Sequence, residues 1–303
     1  MTLAQLNYVI AISKENSLND AAKKLFVSQP SLSSSLRSLE QELGFEIFTR
    51  SKTGMSITTK GAEFIGYARS VIEQYELLDS KYISKTKVKR SFSVSMQHYT
   101  FAVNAFVELI KQFGMDEYEF EIHETKTYEV IDNVKNHNSE LGVLYINDYN
   151  RTVLSKIFTE AGIEFTPLFD CNIYAYMSKK NPLAVKDEVS IEELDDYPCL
   201  GFAQGDHNSF YFAEEVMSTY NYKQYIRAND RATLLNLMVG LNGFTLCSGI
   251  ICEDLNGDDY VAVKLKTDEK MTIGYISRKD AILSDIGKRY IDELAKYKDM
   301  VMR

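Results

Sequence analysis

The sequence predicts a mixed fold: a small helical head ending in a two-stranded wing, one long connecting helix, and a larger α/β body. Three observations carry this expectation. The stretch Leu18–Leu43, LNDAAKKLFVSQPSLSSSLRSLEQEL, divides into two short helices joined by a tight connection. Apolar residues from Phe64 to Tyr82 recur at heptad spacing, as on one long helix. Beyond Arg90, short β-rich runs alternate with amphipathic helical segments.

In the head, Leu3, Leu6, Val9, Ile10 and Ala11 mark a first amphipathic helix. It completes a three-helix core with Ala21, Ala22, Leu25, Leu32 and Leu36. Ser17 followed by Asp20 resembles a capping box and starts the second helix. Ser28 is placed to cap the third, and Pro30 is tolerated in its first turn because the missing N–H would be unpaired there. Leu32, Leu36, Leu39 and Leu43 give that helix an apolar stripe. Its other face carries Ser31, Ser33, Ser34, Ser35, Arg37 and Ser38. Short hydroxyls and one guanidinium make a surface that can press against nucleic acid. The arrangement matches a helix-turn-helix, whose second helix enters the major groove. A helical hairpin with merely solvated serines is the alternative.

Gly44 ends the third helix. Phe45–Arg50 and Met55–Thr58 then alternate around a Ser51–Gly54 turn, forming a wing with Arg50 and Lys52 at its tip. Cations there can reach flanking phosphates or the minor groove. Thr59 is placed to cap a helix running to about Lys87. Its seam of Phe64, Ala68, Val71, Tyr75, Leu78 and Tyr82, widened by Ile65 and Ile72, predicts pairing with a second copy. A dimer in turn predicts a near-palindromic DNA site. The alternative is that the seam packs on its own chain. Lys85–Arg90 is a basic hinge.

The body should hold strands at Phe92–Met96, Glu119–His123, Leu141–Ile146, Phe165–Phe169, Ile173–Ser178, Cys199–Phe202, Tyr225–Ala228, Phe244–Cys247 and Met271–Ser277. Helices are expected near Phe101–Gln112, Tyr128–Lys135, Phe210–Tyr220, Thr233–Leu241 and Ile286–Lys296.

Composition bounds the function. With 303 residues, 45% hydrophobic and 25% charged, the chain suits a globular protein of two or three domains. No apolar run approaches the roughly 20 residues of a membrane helix, and no secretory segment is evident, so a cytoplasmic protein without membrane partners is expected. Cys171, Cys199, Cys247 and Cys252 show no metal-ligand or disulfide spacing and suit buried positions. The net charge of −9 is unevenly placed. Residues 1–90 carry 13 basic against 9 acidic side chains, a net of +4, while the remainder carries 21 against 34, a net of −13. The basic excess coincides with the helix-turn-helix, where phosphate contact requires it.

On Ala21–Leu25, Ser28–Ser33, Leu39-Glu40, Leu43-Gly44, Phe48–Arg50 and Thr58–Gly61, the chain resembles the LysR-type transcriptional regulators, as it does at Leu6 and Phe26. Weaker marks follow at Asn181–Ala184, Ser190–Leu194, Tyr197-Pro198 and Leu237–Gly243. The resemblance implies a winged helix-turn-helix over 1–58, a dimerising linker helix over 59–88 and an effector domain over 89–303. The last should be like a periplasmic binding protein, with subdomain I at about 91–162 and 268–303 and subdomain II at about 163–267.

DNA contacts are implied for Gln29, Pro30, Ser31, Ser33, Ser34 and Arg37, with Arg50 and Lys52 from the wing. Many family members carry Arg where this chain has Ser34, and serine cannot make Arg's bidentate contact to guanine. Between the subdomains, the resemblance implies a small-molecule cleft. It should be lined by Ser95, Gln97, His98, Tyr99, Thr100, Thr125 and Thr127, by Gly201–His207 including Gln204 and His207, and by Asp230, Arg231, Thr233, Thr245 and Ser248.

Several of these are polar residues at strand-to-helix junctions, where free helix N–H groups favour an anion such as a carboxylate. His98 could contact ligand or cap a helix, His207 could simply start one, and Arg231 could pair with an acid. Gln97–Tyr99, His207–Phe212 and Asn229–Leu234 are similar to a subgroup linked to sulfur amino-acid metabolism. The family further implies a homodimer doubled to a homotetramer, RNA polymerase as a partner, and no cofactor beyond the small-molecule effector.

An enzyme is the first rival, but the sequence has no G-x-S-x-G, H-E-x-x-H, P-loop or G-x-G-x-x-G motif. A metabolite-binding protein without a DNA role is the second, and residues 1–58 argue against it.

Overall fold

The computed structural model describes residues 1–15, 17–51, 54–79, 82–83, 90–114, 117–207, 209–279 and 281–301. Two compact units result: Met1–Arg90 with Asn136–Asn138, and Ser91–Lys135 with Ser139–Arg303.

The first unit opens with α1 (Leu3–Glu15), α2 (Leu18–Lys24) and α3 (Gln29–Leu43). The expected caps form. Ser17 Oγ accepts the Asp20 N–H at 3.3 Å, and Ser28 Oγ accepts that of Ser31 at 3.3 Å. Gly44 closes α3 at φ +75°, a conformation that costs glycine little. The turn before α3 uses the same geometry without glycine. Phe26 sits at φ +54° and is 96% exposed, while Val27 N–H reaches back to Ala22 O. Val9, Ile12, Leu32, Leu39 and Ile47 are fully buried in the core between these helices.

The wing is β1 (Phe48–Ser51) paired antiparallel with β2 (Gly54–Ile57). It starts later than Phe45 because Glu40 Oε1 accepts the N–H groups of Ile47 at 2.7 Å and Phe48 at 3.1 Å, tying the wing's entry to α3. Then α4 (Thr59–Asp79) begins. Its cap is Thr58, one residue before the expected Thr59, since Thr58 Oγ1 accepts the Gly61 N–H at 2.9 Å. Most of the expected continuation to Lys87 lies outside the described residues. The apolar seam divides. Ala68 and Ile72 are buried against Leu6 of α1, so this part of the seam packs on its own chain. Val71, Tyr75 and Leu78, at i, i+4 and i+7, are 46%, 45% and 58% exposed.

The second unit holds β3 (Arg90–Met96), α5 (Thr100–Lys111), β4 (Tyr118–Glu124), α6 (Thr127–Lys135), β5 (Leu141–Ile146), α7 (Arg151–Glu160) and β6 (Ile163–Cys171). Next come β7 (Tyr174–Ser178), β8 (Glu188–Val189), α8 (Ile191–Leu194), β9 (Cys199–Phe202), β10 (Tyr225–Ala228), α9 (Arg231–Leu241) and β11 (Phe244–Cys247). The chain ends with α10 (Glu253–Asn256), β12 (Tyr260–Leu265), β13 (Met271–Arg278), α11 (Asp285–Ala295) and α12 (Lys298–Val301).

Among the described residues of this unit the strands form two sheets, ordered β4-β3-β5-β13-β6 and β10-β9-β11-β7-β12-β8. Each sheet with its helices is one subdomain. The chain passes from the first to the second after β6 and returns between β12 and β13. The sequence reading placed the first passage at 163; β6 instead pairs with β13 along its length, so the passage follows Cys171. Met96, Val143 and Ile273 under one sheet and Met177 and Phe244 under the other belong to a continuous buried core.

One expected helix is absent. Phe210–Tyr220 forms a single 3-10 turn, Phe210–Phe212, followed by irregular chain with Met217 at φ +54°. Glu214 and Glu215 in this irregular stretch are both buried.

Candidate functional site

Two surfaces qualify, one on each unit. On α3, burial of Leu32, Leu36 and Leu39 fixes which face looks outward. Pro30, Ser31, Ser34 and Arg37 are exposed, and Gln29 and Ser33 are half-buried. Pro30, Ser33, Ser34 and Arg37, at i, i+3, i+4 and i+7, share one face. Arg50 lies on β1, and Lys52 lies outside the described residues.

The second surface is the cleft between the two sheets, which the chain's own polar groups span. Gln97 on the first side is buried; its Nε2 donates to Thr127 Oγ1 at 2.5 Å, and its Oε1 accepts from Tyr99 OH at 2.8 Å and Tyr145 N at 3.1 Å. Thr127 then crosses. Its N–H donates to Gln204 Oε1 at 3.1 Å and its hydroxyl to Phe212 O at 2.8 Å.

Gln204 Nε2 donates to Glu214 Oε1 at 2.8 Å, and Glu214 Oε2 accepts the His98 N–H at 2.9 Å and meets His98 Nδ1 at 2.8 Å. The His98 ring also stacks on Phe202, with centroids 3.8 Å apart. His98 therefore caps nothing. Tyr99 occupies the N-cap position of α5 without a side-chain cap bond.

Glu215 has one oxygen satisfied, by the Phe202 N–H at 2.9 Å, whereas Oε2 is buried without a hydrogen-bond partner. Burial, helped by the neighbouring Glu214, pushes its carboxyl up to about 8. Glu215 also lines a cavity of about 40 Å³ with Tyr145, Asn147, Ser218, Thr219 and Glu269.

At the mouth, Arg231 at the start of α9 crosses from the second side to donate to Thr100 Oγ1 and Glu124 Oε1. Asn256 Nδ2 donates to the same Thr100 hydroxyl at 3.0 Å. Burial pulls the Arg231 guanidinium down to about 10, so it remains a cation at neutral pH.

Other expected residues sit elsewhere or are already engaged. Ser95 is buried in subdomain I against Ser139 and Asn133. The Thr125 hydroxyl donates to Glu129. His207 is exposed and stacks on Tyr128 at 3.6 Å. Thr233 bonds to Asp230, which caps α9. Thr245 and Ser248 are buried.

Sequence reasoning missed Glu124, Glu214, Glu215 and Asn256, while Phe202 lies in the expected Gly201–His207 stretch. Only the Glu214–Glu215 pair left a trace, as two consecutive acids between apolar neighbours. Among the described residues no group of three or more His, Cys, Asp and Glu is placed to hold a metal. Nor is any helix there long and apolar enough to cross a membrane.

A winged helix-turn-helix head and a two-subdomain cleft define a ligand-responsive DNA-binding regulator. The model for the bacterial regulatory helix-turn-helix protein of the lysR family matches residues 3–62, and that for the LysR substrate binding domain matches 97–298. The chain belongs to the LysR family and is a LysR-type DNA-binding transcriptional regulator, not an enzyme.

It is 22% identical over 297 residues to the uncharacterized HTH-type transcriptional regulator YbhD of Escherichia coli, covering 95% of this chain and 89% of that protein. It is 27% identical over 209 residues to the regulator CysB of Haemophilus influenzae, covering 68% of this chain and 62% of that protein. The full-length OxyR C199D structure from Pseudomonas aeruginosa shares the fold at TM-score 0.66 and 20% identity, covering 99% and 98% of the two chains.

Proposed function

We propose that this regulator responds to a small anionic metabolite held where Arg231 meets Thr100. The Arg231 contact across the cleft carries the reading. Its guanidinium lies beside the start of α5, a 12-residue helix whose N-terminal end carries positive dipole and lacks a side-chain cap. The Thr100 hydroxyl accepts from Arg231 and Asn256, which leaves its own proton to donate to an anion.

Binding there changes the angle between the subdomains to the extent that the ligand prefers one arrangement. Gln29, Pro30, Ser31, Ser33, Ser34 and Arg37, with Arg50 and Lys52, make the base and phosphate contacts. A second copy covers Val71, Tyr75 and Leu78 of α4, giving a dimer and a near-palindromic site, doubled to a tetramer through the effector domains. Operation in the cytoplasm beside RNA polymerase, without a cofactor, fits this role. The CysB likeness and the Gln97–Tyr99 phrase support control of sulfur amino-acid metabolism.

A thermal-shift panel of amino acids, their acetylated precursors and small organic acids tests the ligand class. A true effector raises stability by about 2.7 kcal/mol at a hundredfold excess over its Kd. A hit among O-acetylserine, homocysteine or methionine supports the sulfur reading. Stabilisation confined to compounds that carry no carboxylate or other anionic group contradicts the anion reading.

A further inference from the structure

We infer that Glu124 is a tethered competitor for the effector and sets which anions this cleft accepts, an inference that rests on the anion reading above. Arg231 and Glu124 are 19% and 28% exposed, so their pairing is only partly screened by water. The guanidinium beside the positive end of α5 requires a negative partner, and the Glu124 carboxylate supplies it.

An effector anion that engages Arg231 and Thr100 therefore meets a group already in place. Glu124 belongs to the same chain, so it competes at Arg231 at a fixed effective concentration however dilute the free metabolite is. A simple monocarboxylate gains nothing over it. An anion with a second charge, or with further polar groups, does gain.

Glu124 can yield because it ends β4, the edge strand of its sheet, where a displaced carboxylate swings into solvent. The acids nearest along the chain are otherwise committed: Glu129 accepts from Thr125 and pairs with Lys126, and Glu121 lies beside His123. Neither replaces Glu124 on Arg231. Glu124 thus acts as a selectivity and threshold residue.

The test is a sulfate titration of the full-length protein at constant ionic strength, read by thermal shift, for wild type, Glu124→Gln and Arg231→Gln. Glutamine keeps the size of residue 124 and removes its charge at a partly exposed position, so the fold should persist; Glu124→Asp, which retracts the carboxylate, serves as a second variant. The expected result is weak sulfate binding by wild type, binding about threefold tighter by Glu124→Gln, an intermediate value for Glu124→Asp, and no response from Arg231→Gln. Equal sulfate affinity in wild type and Glu124→Gln overturns the competitor role while leaving the anion site. A response in Arg231→Gln equal to that of wild type, or no response in any variant, overturns both.

Discussion

Replacing Glu215 by glutamine removes a carboxyl that burial holds in its neutral form. The folded protein raises it from 4.5 to about 8, mainly through desolvation and then through Glu214. Each tenfold gain in proton affinity is worth about 1.4 kcal/mol. The sign follows from linkage: the folded state binds this proton more tightly than the unfolded state, so the contribution is fully present below about 4.5 and is lost as pH rises through about 8. The loss amounts to roughly 3 kcal/mol at pH 7 and roughly 5 kcal/mol above pH 8.

Glutamine resembles the protonated form, keeps an oxygen for the Phe202 N–H, and has no such dependence. Glu215→Gln should therefore match wild type near pH 4.5 and exceed it by a few kcal/mol at pH 8. Urea unfolding followed by near-UV circular dichroism of the 20 tyrosines measures both, in a chain with no tryptophan to complicate the signal. A stability difference that stays flat between pH 5 and 8 would show the carboxylate to be ionised and partnered, refuting the argument from its orphan oxygen.

Leu78→Asp places a charge on the exposed stripe of α4 and should convert dimer to monomer in sedimentation velocity with the helical content of the chain unchanged; a persisting dimer places the interface elsewhere. Phe26→Gly relieves a left-handed residue that makes little contact, so it should leave the head domain equally stable or up to about 1 kcal/mol more stable in thermal unfolding. Gly201→Ala would bring a Cβ to 2.3 Å from the Tyr225 hydroxyl and should cost about 1–3 kcal/mol in urea unfolding.

Local signals were legible in the sequence and long-range ones were not. Ser17, Ser28 and Gly44 mark helix ends through bonds a few residues long, and they act as expected. Leu141–Ile146 and Cys199–Phe202 were bounded correctly because buried runs between turns leave little choice of conformation. The segment α7 escaped notice because its stripe of Leu154, Ile157 and Phe158 is short and Asn150 makes no side-chain cap bond. Periodicity in α4 identified an apolar face without showing that Leu6 covers Ala68 and Ile72. The cleft was harder still. Residues 98 and 214, or 124 and 231, lie over a hundred positions apart, and nothing in either neighbourhood announces the other. The expectation of a helix at Phe210–Tyr220 failed for the same reason, since Glu214 answers to His98 rather than to its own neighbours.

The most direct test of the account is selection of DNA from a random duplex pool by the purified full-length protein, with Arg37→Ala run beside wild type. The expected result is an enriched site of two inverted half-sites about one helical turn apart or a multiple of it, with enrichment that falls sharply for Arg37→Ala. A site without two-fold symmetry, no enrichment, or equal enrichment by both proteins would contradict it.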